Sequence, residues 1–251
     1  MRLFGLIGYP LSHSFSKKYF EAKFRREQWE DCRYENFELS SIQEVPKLLQ
    51  NQPGLQGFNI TIPHKQEIIP YLNARNRVVQ QIGACNCVKI VDGQLYGYNT
   101  DVEGFKQALQ QQLLPHHDKA LILGTGGAAK AVAYVLEELG IQFLYVSRNR
   151  QQKEGYLGYP EIGDATLDTH PLIINTTPTG MYPNIHEAPP LNYQALTPRH
   201  FLFDLTYNPE KTLFLQRGEN QGAAIRNGYD MLVIQAEESW KIWNTAVELL
   251  P

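Results

Sequence analysis

Ala120-Leu-Ile-Leu-Gly-Thr-Gly-Gly-Ala-Ala129 is a short apolar run that breaks into a glycine-rich turn. The apolar spacing over residues 128–139 predicts a helix, and residues 141–146 a second strand, so the segment reads as a β-α-β unit. Gly124-Thr125-Gly126-Gly127-Ala128-Ala129 matches the Gly-x-Gly-x-x-Gly/Ala pattern of a dinucleotide-binding turn in its required place, after a strand and at the opening of a helix. In such a turn Gly124 permits the tight bend, Gly126 lets the backbone approach a pyrophosphate, and Ala129 is small enough for close helix–strand packing. The unpaired N–H groups and the dipole of the helix N-terminus favour the anion. The alternative is a glycine-rich turn in an ordinary α/β domain.

The end of the next strand discriminates between two dinucleotides. An NAD site usually places an acidic residue there, about twenty positions after the glycines, to hold the ribose 2′-hydroxyl. This chain has Ser147-Arg148-Asn149-Arg150 instead. A guanidinium pairs bidentately with a 2′-phosphate and stacks on adenine, whereas a carboxylate would repel it, so NADP is preferred over NAD. The competing reading is a solvated basic loop.

Outward from this unit, short apolar runs alternate with helical patterns. Residues 3–8, 34–39 and 57–62 read as strands, and 16–29 and 42–49 as helices. Residues 84–91 and 94–98 flank Asp92-Gly93, a pair that tolerates the positive φ of a tight hairpin turn. A helical pattern covers 101–114, and Pro115-His116-His117-Asp118 is a candidate joint between domains. Further strands are expected at 172–174 and 201–205, and a proline-rich surface loop at 182–198. Residues 229–249 read as a long amphipathic helix with Leu232, Ala236, Trp240, Trp243 and Val247 on one face. Strands alternating with helices throughout predict the α/β class.

With 251 residues, 43% of them hydrophobic, the chain can bury one large core or two smaller ones. Its 23 basic and 26 acidic residues leave no positive excess to hold nucleic acid or an anionic membrane. The opening apolar residues stop at Gly8 and Pro10, short of a signal-peptide core, and no later run is long enough to span a bilayer, so a cytoplasmic protein is expected. Cys32, Cys85 and Cys87 form an odd set in a chain with ample core, which points to reduced thiols. Cys85-x-Cys87 lacks a second ligand pair at a supporting spacing, so no metal is expected.

The remaining polar signals begin near the N-terminus. Ser14-Phe15-Ser16 precedes the first helix, where the hydroxyls either cap it or face an anion. In Asn59-Ile60-Thr61-Ile62-Pro63-His64-Lys65, strand alternation puts Asn59 and Thr61 on one face, and Lys65 follows at a strand-to-helix edge, where a lysine is ordinarily solvated. Asn86 stands at a strand entrance, and Asp101 follows Gly97-Tyr98-Asn99-Thr100 where a helix begins and an N-cap is the simple reading.

Singly, none of these residues assigns chemistry; their order along the chain does. With Gly83-Ala84-Cys85-Asn86, Asn175-Thr176-Thr177-Pro178-Thr179-Gly180-Met181, Asp204-Leu205-Thr206-Tyr207-Asn208-Pro209 and Gly228-Tyr229-Asp230-Met231-Leu232-Val233-Ile234-Gln235, they make the chain resemble the shikimate dehydrogenase family over essentially its whole length. The resemblance implies two α/β domains with the active site in the cleft between them. One is an N-terminal catalytic domain, 1–101, with a mainly parallel sheet completed by the C-terminal helix 229–251; the other is a Rossmann-like NADP-binding domain, 102–228.

The implied reaction is the reversible, NADP-dependent reduction of 3-dehydroshikimate to shikimate in aromatic amino-acid biosynthesis. The implied ligands are small molecules, with no nucleic acid or membrane partner, and the protein is expected as a monomer or homodimer. Ser14, Ser16 and Tyr207 would bind the substrate carboxylate, and Asn59, Thr61, Asn86, Asp101 and Gln235 the ring hydroxyls. Lys65 and Asp101 would be catalytic, because a carbonyl turning into an alkoxide needs positive charge and a proton at once and an ammonium supplies both. Asp101 would orient it. The cofactor would meet Gly124, Thr125, Gly126, Gly127, Ala128, Ser147, Arg148, Asn149 and Thr177, with Leu205 and Gly228 beside the nicotinamide.

Three departures qualify the resemblance. The family often reads Asn-Arg-Thr where this chain has Ser147-Arg148-Asn149, which leaves room for use of NAD. Cys87 stands where Thr is usual, exchanging a strong hydroxyl hydrogen bond for a weak thiol one, and a packing change is expected there. An acidic residue common some way after the lysine is absent, with Asn76 and Arg77 in that neighbourhood. The rival readings are a quinate/shikimate dehydrogenase using NAD and a non-catalytic NADP-binding sensor on the same scaffold.

Overall fold

The computed structural model describes residues 1–11, 14–149 and 153–246. Arg150 and Val247, and with Val247 the end of the expected C-terminal helix, lie outside the described residues. Two compact units are present, one formed by Met1–Thr100 with the chain from Gln235, the other by Asp101–Ile234.

The first unit runs β1 (Arg2–Gly8), α1 (Phe15–Arg26), β2 (Cys32–Glu38), α2 (Val45–Asn51), β3 (Leu55–Ile60), β4 (Ala74–Arg75), α3 (Arg77–Ile82), β5 (Cys87–Val91) and β6 (Gln94–Tyr98). Its six-stranded sheet has the order β2-β1-β3-β5-β6-β4. β1 pairs in parallel with both β2 and β3, and β4 with β6, while β3-β5 and β5-β6 are antiparallel. A strand covered on both faces reads as a continuous apolar run, and β1 does. Phe4 and Leu6 face one core with Phe20, Phe24, Trp240 and Trp243, while Ile7 faces the other with Val45, Phe58 and Ile68. The β5-β6 hairpin turns at Asp92 and Gly93, whose φ values of 50° and 76° are the positive ones that the sequence predicts.

The second unit runs α4 (Asp101–Gln110), β7 (Lys119–Leu123), α5 (Gly127–Glu138), β8 (Gln142–Ser147), β9 (Tyr156–Gly158), α6 (Asp164–Thr169), β10 (Leu172–Asn175), β11 (Phe201–Asp204), α7 (Leu213–Glu219) and β12 (Ala224–Arg226), and then enters α8 (Tyr229–Asn244). The sheet order is β12-β11-β10-β7-β8-β9, with every pair parallel. Counted from β7, this is the doubly wound order in which the chain reverses direction between the first and fourth strands. Ligands of such sheets bind in the crevice at that reversal, outside the carboxyl ends of the strands, here the ends of β7 and β10.

Several expectations need correction. The turn at Pro115–Asp118 lies inside the second unit, held there by buried His117, whose Nδ1 accepts from Leu114 N at 3.0 Å and whose Nε2 donates to Arg199 O at 3.1 Å. α4 stops at Gln110, short of 114. The stretch 182–198 is not all surface loop, because Tyr193 and Leu196 enter the second core. β3 ends at Ile60, and a turn ending in a 3₁₀ segment at Ile69–Tyr71 follows where a helix was expected. Cys87 is fully buried in the core of Phe20 and Trp243.

Candidate active site

In the first unit the polar residues singled out by sequence converge through a buried hydrogen-bond network. Asn59, near the end of β3, donates from Nδ2 to Ser239 Oγ at 2.8 Å and to Asn86 O at 3.2 Å, and its Oδ1 accepts from Tyr34 OH at 2.9 Å. Asn86, just before β5, accepts from Thr100 N at 2.7 Å and donates to Gln235 Oε1 at 3.3 Å. Ser239 Oγ donates to Gln235 O at 2.8 Å and lies 3.3 Å from Thr100 Oγ1. Ser16 hydrogen-bonds Tyr34, whose phenol burial holds well above its usual pKa. Ser16, Asn59, Asn86 and Gln235 thus belong to one connected set, with their orientations locked by partners that are themselves buried.

Lys65 is half-buried, and its carbonyl accepts from Cys85 N at 2.7 Å, which ties its turn to the residue before Asn86. The turn is further held by His64, a fully buried ring whose Nε2 donates to Leu39 O at 2.7 Å and whose Nδ1 lies 2.7 Å from Glu67 Oε2. Thr61, just past the end of β3, donates from its N–H to Ile7 O at 2.9 Å and is half-buried. Ser14 occupies the N-cap position of α1 but makes no capping bond, so the simple cap reading fails. Its Oγ is buried without a hydrogen-bond partner, a costly arrangement that a bound acceptor or donor would relieve.

The glycine turn of the second unit has the backbone that a dinucleotide needs. Gly124 has φ 114°, and a Cβ there would lie 2.5 Å from Thr176 Oγ1, so both conformation and space exclude a side chain. Gly126 is the N-cap of α5 and offers no side chain to its first N–H groups; nothing lies within 4 Å of where its Cβ would stand. Gly127 and Ala128 open the helix, Ala129 is buried beneath it, and Thr125 is half-buried in the turn.

At the end of β8, Ser147 Oγ donates to Asn149 O at 2.5 Å, and Arg148 and Asn149 are exposed. Arg148 is near enough to Tyr159 to oppose the rise that burial imposes on its phenol. Thr177 follows β10 and donates from Oγ1 to Asn175 Oδ1 at 2.6 Å. A Cβ on Gly228 would overlap the Leu205 carbonyl oxygen, so these two backbones meet where only glycine fits. Tyr207 is half-buried, and burial raises its phenol pKa. Asp101 is buried and is the first residue of α4, not its cap.

Sequence reasoning missed Tyr34, Thr100 and Ser239, which join the expected residues to one another. Ser239 carried a signal: it is a polar residue on the apolar stripe of α8, between Ala236 and Trp243, and a buried hydroxyl needs a partner. Asp204 was also missed as a structural centre. Fully buried at the end of β11, it accepts from Asn175 Nδ2, Thr206 N and Thr212 Oγ1. Among the described residues no cluster of three or more His, Cys, Asp or Glu could hold a metal ion, and no helix is long and apolar enough to cross a membrane.

A family model described as the shikimate dehydrogenase substrate binding domain matches residues 6–88. The shikimate dehydrogenase (NADP(+)) of Clostridium beijerinckii is 37% identical over 257 residues, covering 97% of this chain and 92% of that protein. The crystal structure of Thermus thermophilus shikimate 5-dehydrogenase in complex with NADP(H) and shikimate aligns with a TM-score of 0.86 at 28% identity, over 98% of this chain and 95% of that one. Quinate dehydrogenase from Corynebacterium glutamicum in complex with NAD aligns with a TM-score of 0.85 at 27% identity, over 97% and 93%.

Proposed function

The chain belongs to the shikimate dehydrogenase family, and from that membership we propose that it catalyses the reversible, NADP-dependent reduction of 3-dehydroshikimate to shikimate in aromatic amino-acid biosynthesis. The observation that carries this reading is the buried network in which Asn59, Asn86 and Gln235 are held together, with the turn of Lys65 tied to Cys85. Fixed amides of this kind suit a ring bearing several hydroxyls, and the backbone of Lys65 is bonded to the residue before one of them.

The buried, unpartnered hydroxyl of Ser14, with Ser16 and Tyr207, receives the ring carboxylate. Neutral donors bind an anion without the tight trap that a paired arginine would make. The half-buried Lys65 ammonium neutralises the charge that develops on the carbonyl oxygen and gives it a proton; in the reverse direction Lys65 takes that proton back. Asp101 orients the ammonium and accepts a ring hydroxyl, and Thr61 holds another.

The residues present fit a dinucleotide. The open N-terminus of α5 and the Cβ-excluding turn at Gly124 suit a pyrophosphate, and Arg148 suits a 2′-phosphate. NADPH supplies the hydride when bound. Thr125, Gly126, Gly127, Ala128, Ser147, Asn149 and Thr177 line its path, and Leu205 with Gly228 offers a small, apolar wall to the nicotinamide.

In functional terms residues 1–101 with 229–251 form the catalytic domain and 102–228 the cofactor domain. The enzyme works in the cytoplasm as a monomer or homodimer, a setting that suits three buried cysteines outside any disulfide.

The test follows NADPH absorbance with shikimate and NADP, in parallel with quinate and NAD. Turnover of shikimate with NADP is expected to dominate; strong quinate turnover with NAD would reassign the substrate. Lys65→Ala is expected to lose about a thousandfold or more in kcat, the usual scale for a proton-transfer group, while shikimate still binds. Full activity in that variant would sink the mechanism, and a wild type that binds NADP but turns over neither substrate would leave a binding protein.

A further inference from the structure

Asp204 is a buried carboxylate with no part in the chemistry above. Its position is nonetheless specific. It lies opposite Asn175 in the β10-β11 register, at the carboxyl ends of both strands. Oδ1 accepts from Asn175 Nδ2 at 3.1 Å and Thr206 N at 3.0 Å, and Oδ2 accepts from Thr212 Oγ1 at 2.7 Å. Asn175 Oδ1 in turn accepts both N–H and O–H of Thr177, at 3.1 and 2.6 Å. Thr206 O accepts from Gly228 N at 3.1 Å, and Thr176 Oγ1 stands where a Cβ on Gly124 would go while donating to Leu123 O at 2.7 Å. One carboxylate is therefore two hydrogen bonds from Thr177, through Asn175, and two from Gly228 of the Leu205–Gly228 wall, through Thr206.

We propose that Asp204 is a positioning residue for the nicotinamide cofactor: its carboxylate fastens the loop after β10, which carries Thr177, to the loop after β11, which carries Leu205, and so holds both in the shape that the cofactor requires. The inference rests on the cofactor reading above. All three partners of Asp204 are neutral, and burial pushes its pKa up to about 6 in spite of them. Among titratable groups, Asp204 helps to raise the phenol of Tyr193, and Arg217 of α7 lies 5.1 Å over the Tyr193 ring. The ionised carboxylate accepts from Asn175, Thr206 and Thr212 in charge-assisted bonds, which a protonated acid makes only as weaker neutral ones. Protonation on Oδ2 turns an acceptor into a donor facing the Thr212 hydroxyl, and the fastening loosens as pH falls through about 6.

The test measures NADP and shikimate dissociation constants of the full-length wild type and Asp204→Asn from pH 5 to 8, with circular dichroism to verify folding. Asparagine keeps the shape and one acceptor but replaces charge-assisted bonds with neutral ones, so NADP should bind about tenfold more weakly at pH 8, with shikimate affinity unchanged. The variant-to-wild-type ratio should approach one below pH 6, because the wild type then loses the same charge. Using the ratio cancels the titration of NADP itself.

Thr212→Val removes the Oδ2 donor and should move the pH at which NADP binding weakens upward; it carries the test if the first variant does not fold. An NADP affinity that neither variant changes, or a parallel loss of shikimate and NADP binding, would overturn the proposal by leaving Asp204 without a cofactor role or with a general structural one. A wild type that binds no NADP at all would overturn the cofactor reading as well, which separates the two failures.

Discussion

Replacing Ser239 by alanine should weaken shikimate binding while sparing NADP. Ser239 Oγ is fully buried, accepts from Asn59 Nδ2 at 2.8 Å, donates to Gln235 O at 2.8 Å and lies 3.3 Å from Thr100 Oγ1. Without it Asn59 Nδ2 retains Asn86 O at 3.2 Å, so one of its two protons is left buried and unpaired. That costs about 1–3 kcal/mol, of which the better helix propensity of alanine offsets about 0.5 kcal/mol. If Asn59 instead rotates to find a partner, it gives up the Tyr34 bond at 2.9 Å, and the loss is of the same order.

Either way the amide that we propose holds a substrate hydroxyl is mispositioned by a net of about 1–2 kcal/mol, which corresponds to a shikimate KM raised about tenfold. The NADP KM should stay within about twofold, since Ser239 and all its partners belong to the first unit. Initial-rate kinetics with each substrate varied in turn, together with a urea titration, read both effects. An unchanged shikimate KM with unchanged stability, or an NADP KM that rises equally, would refute the reasoning.

Arg148→Glu should invert cofactor preference, because a carboxylate at this exposed site repels a 2′-phosphate and can hold a 2′-hydroxyl. The ratio of kcat/KM for NADP over NAD should fall by about a hundredfold, and an unchanged ratio would place the 2′-phosphate elsewhere. Stability should also report on Asp204. Its folded pKa of about 6 exceeds the ordinary 3.8, so the folded state holds this proton more tightly than the unfolded chain. The resulting stabilisation is complete below pH 3.8 and is lost as pH rises through 6, about 3 kcal/mol across that window. Asp204→Asn has no such proton to lose. Its urea midpoint relative to the wild type should therefore rise between pH 4 and 7, and a constant difference would mean that Asp204 does not titrate there.

Features set by neighbours along the chain are legible in the sequence. The β7 run, the glycine turn and α5 can be read there because apolar periodicity and a positive φ are requirements of a few adjacent residues. The Asp92-Gly93 hairpin is legible for the same reason. β9 and β12 have three residues each, too few to show a period, and leave no such pattern. The cap reading of Ser14 is a sound local inference that tertiary structure displaces, since Ser14 Oγ is buried but caps nothing, while Asp101 is a buried first residue of its helix.

By itself, then, the amino-acid order determined the α/β class, the dinucleotide-type turn and the resemblance to a family, since each resides in short motifs and their succession. Only the tertiary structure decided the strand orders, the boundary at Thr100, and the partners of Asn59, Asn86 and Asp204. Ser239 lies 180 residues from Asn59, and Gln235 lies 149 from Asn86. A hydrogen bond acts over about 3 Å, so pairing at such separations leaves no local pattern and exists only once packing has brought distant strands and helices together.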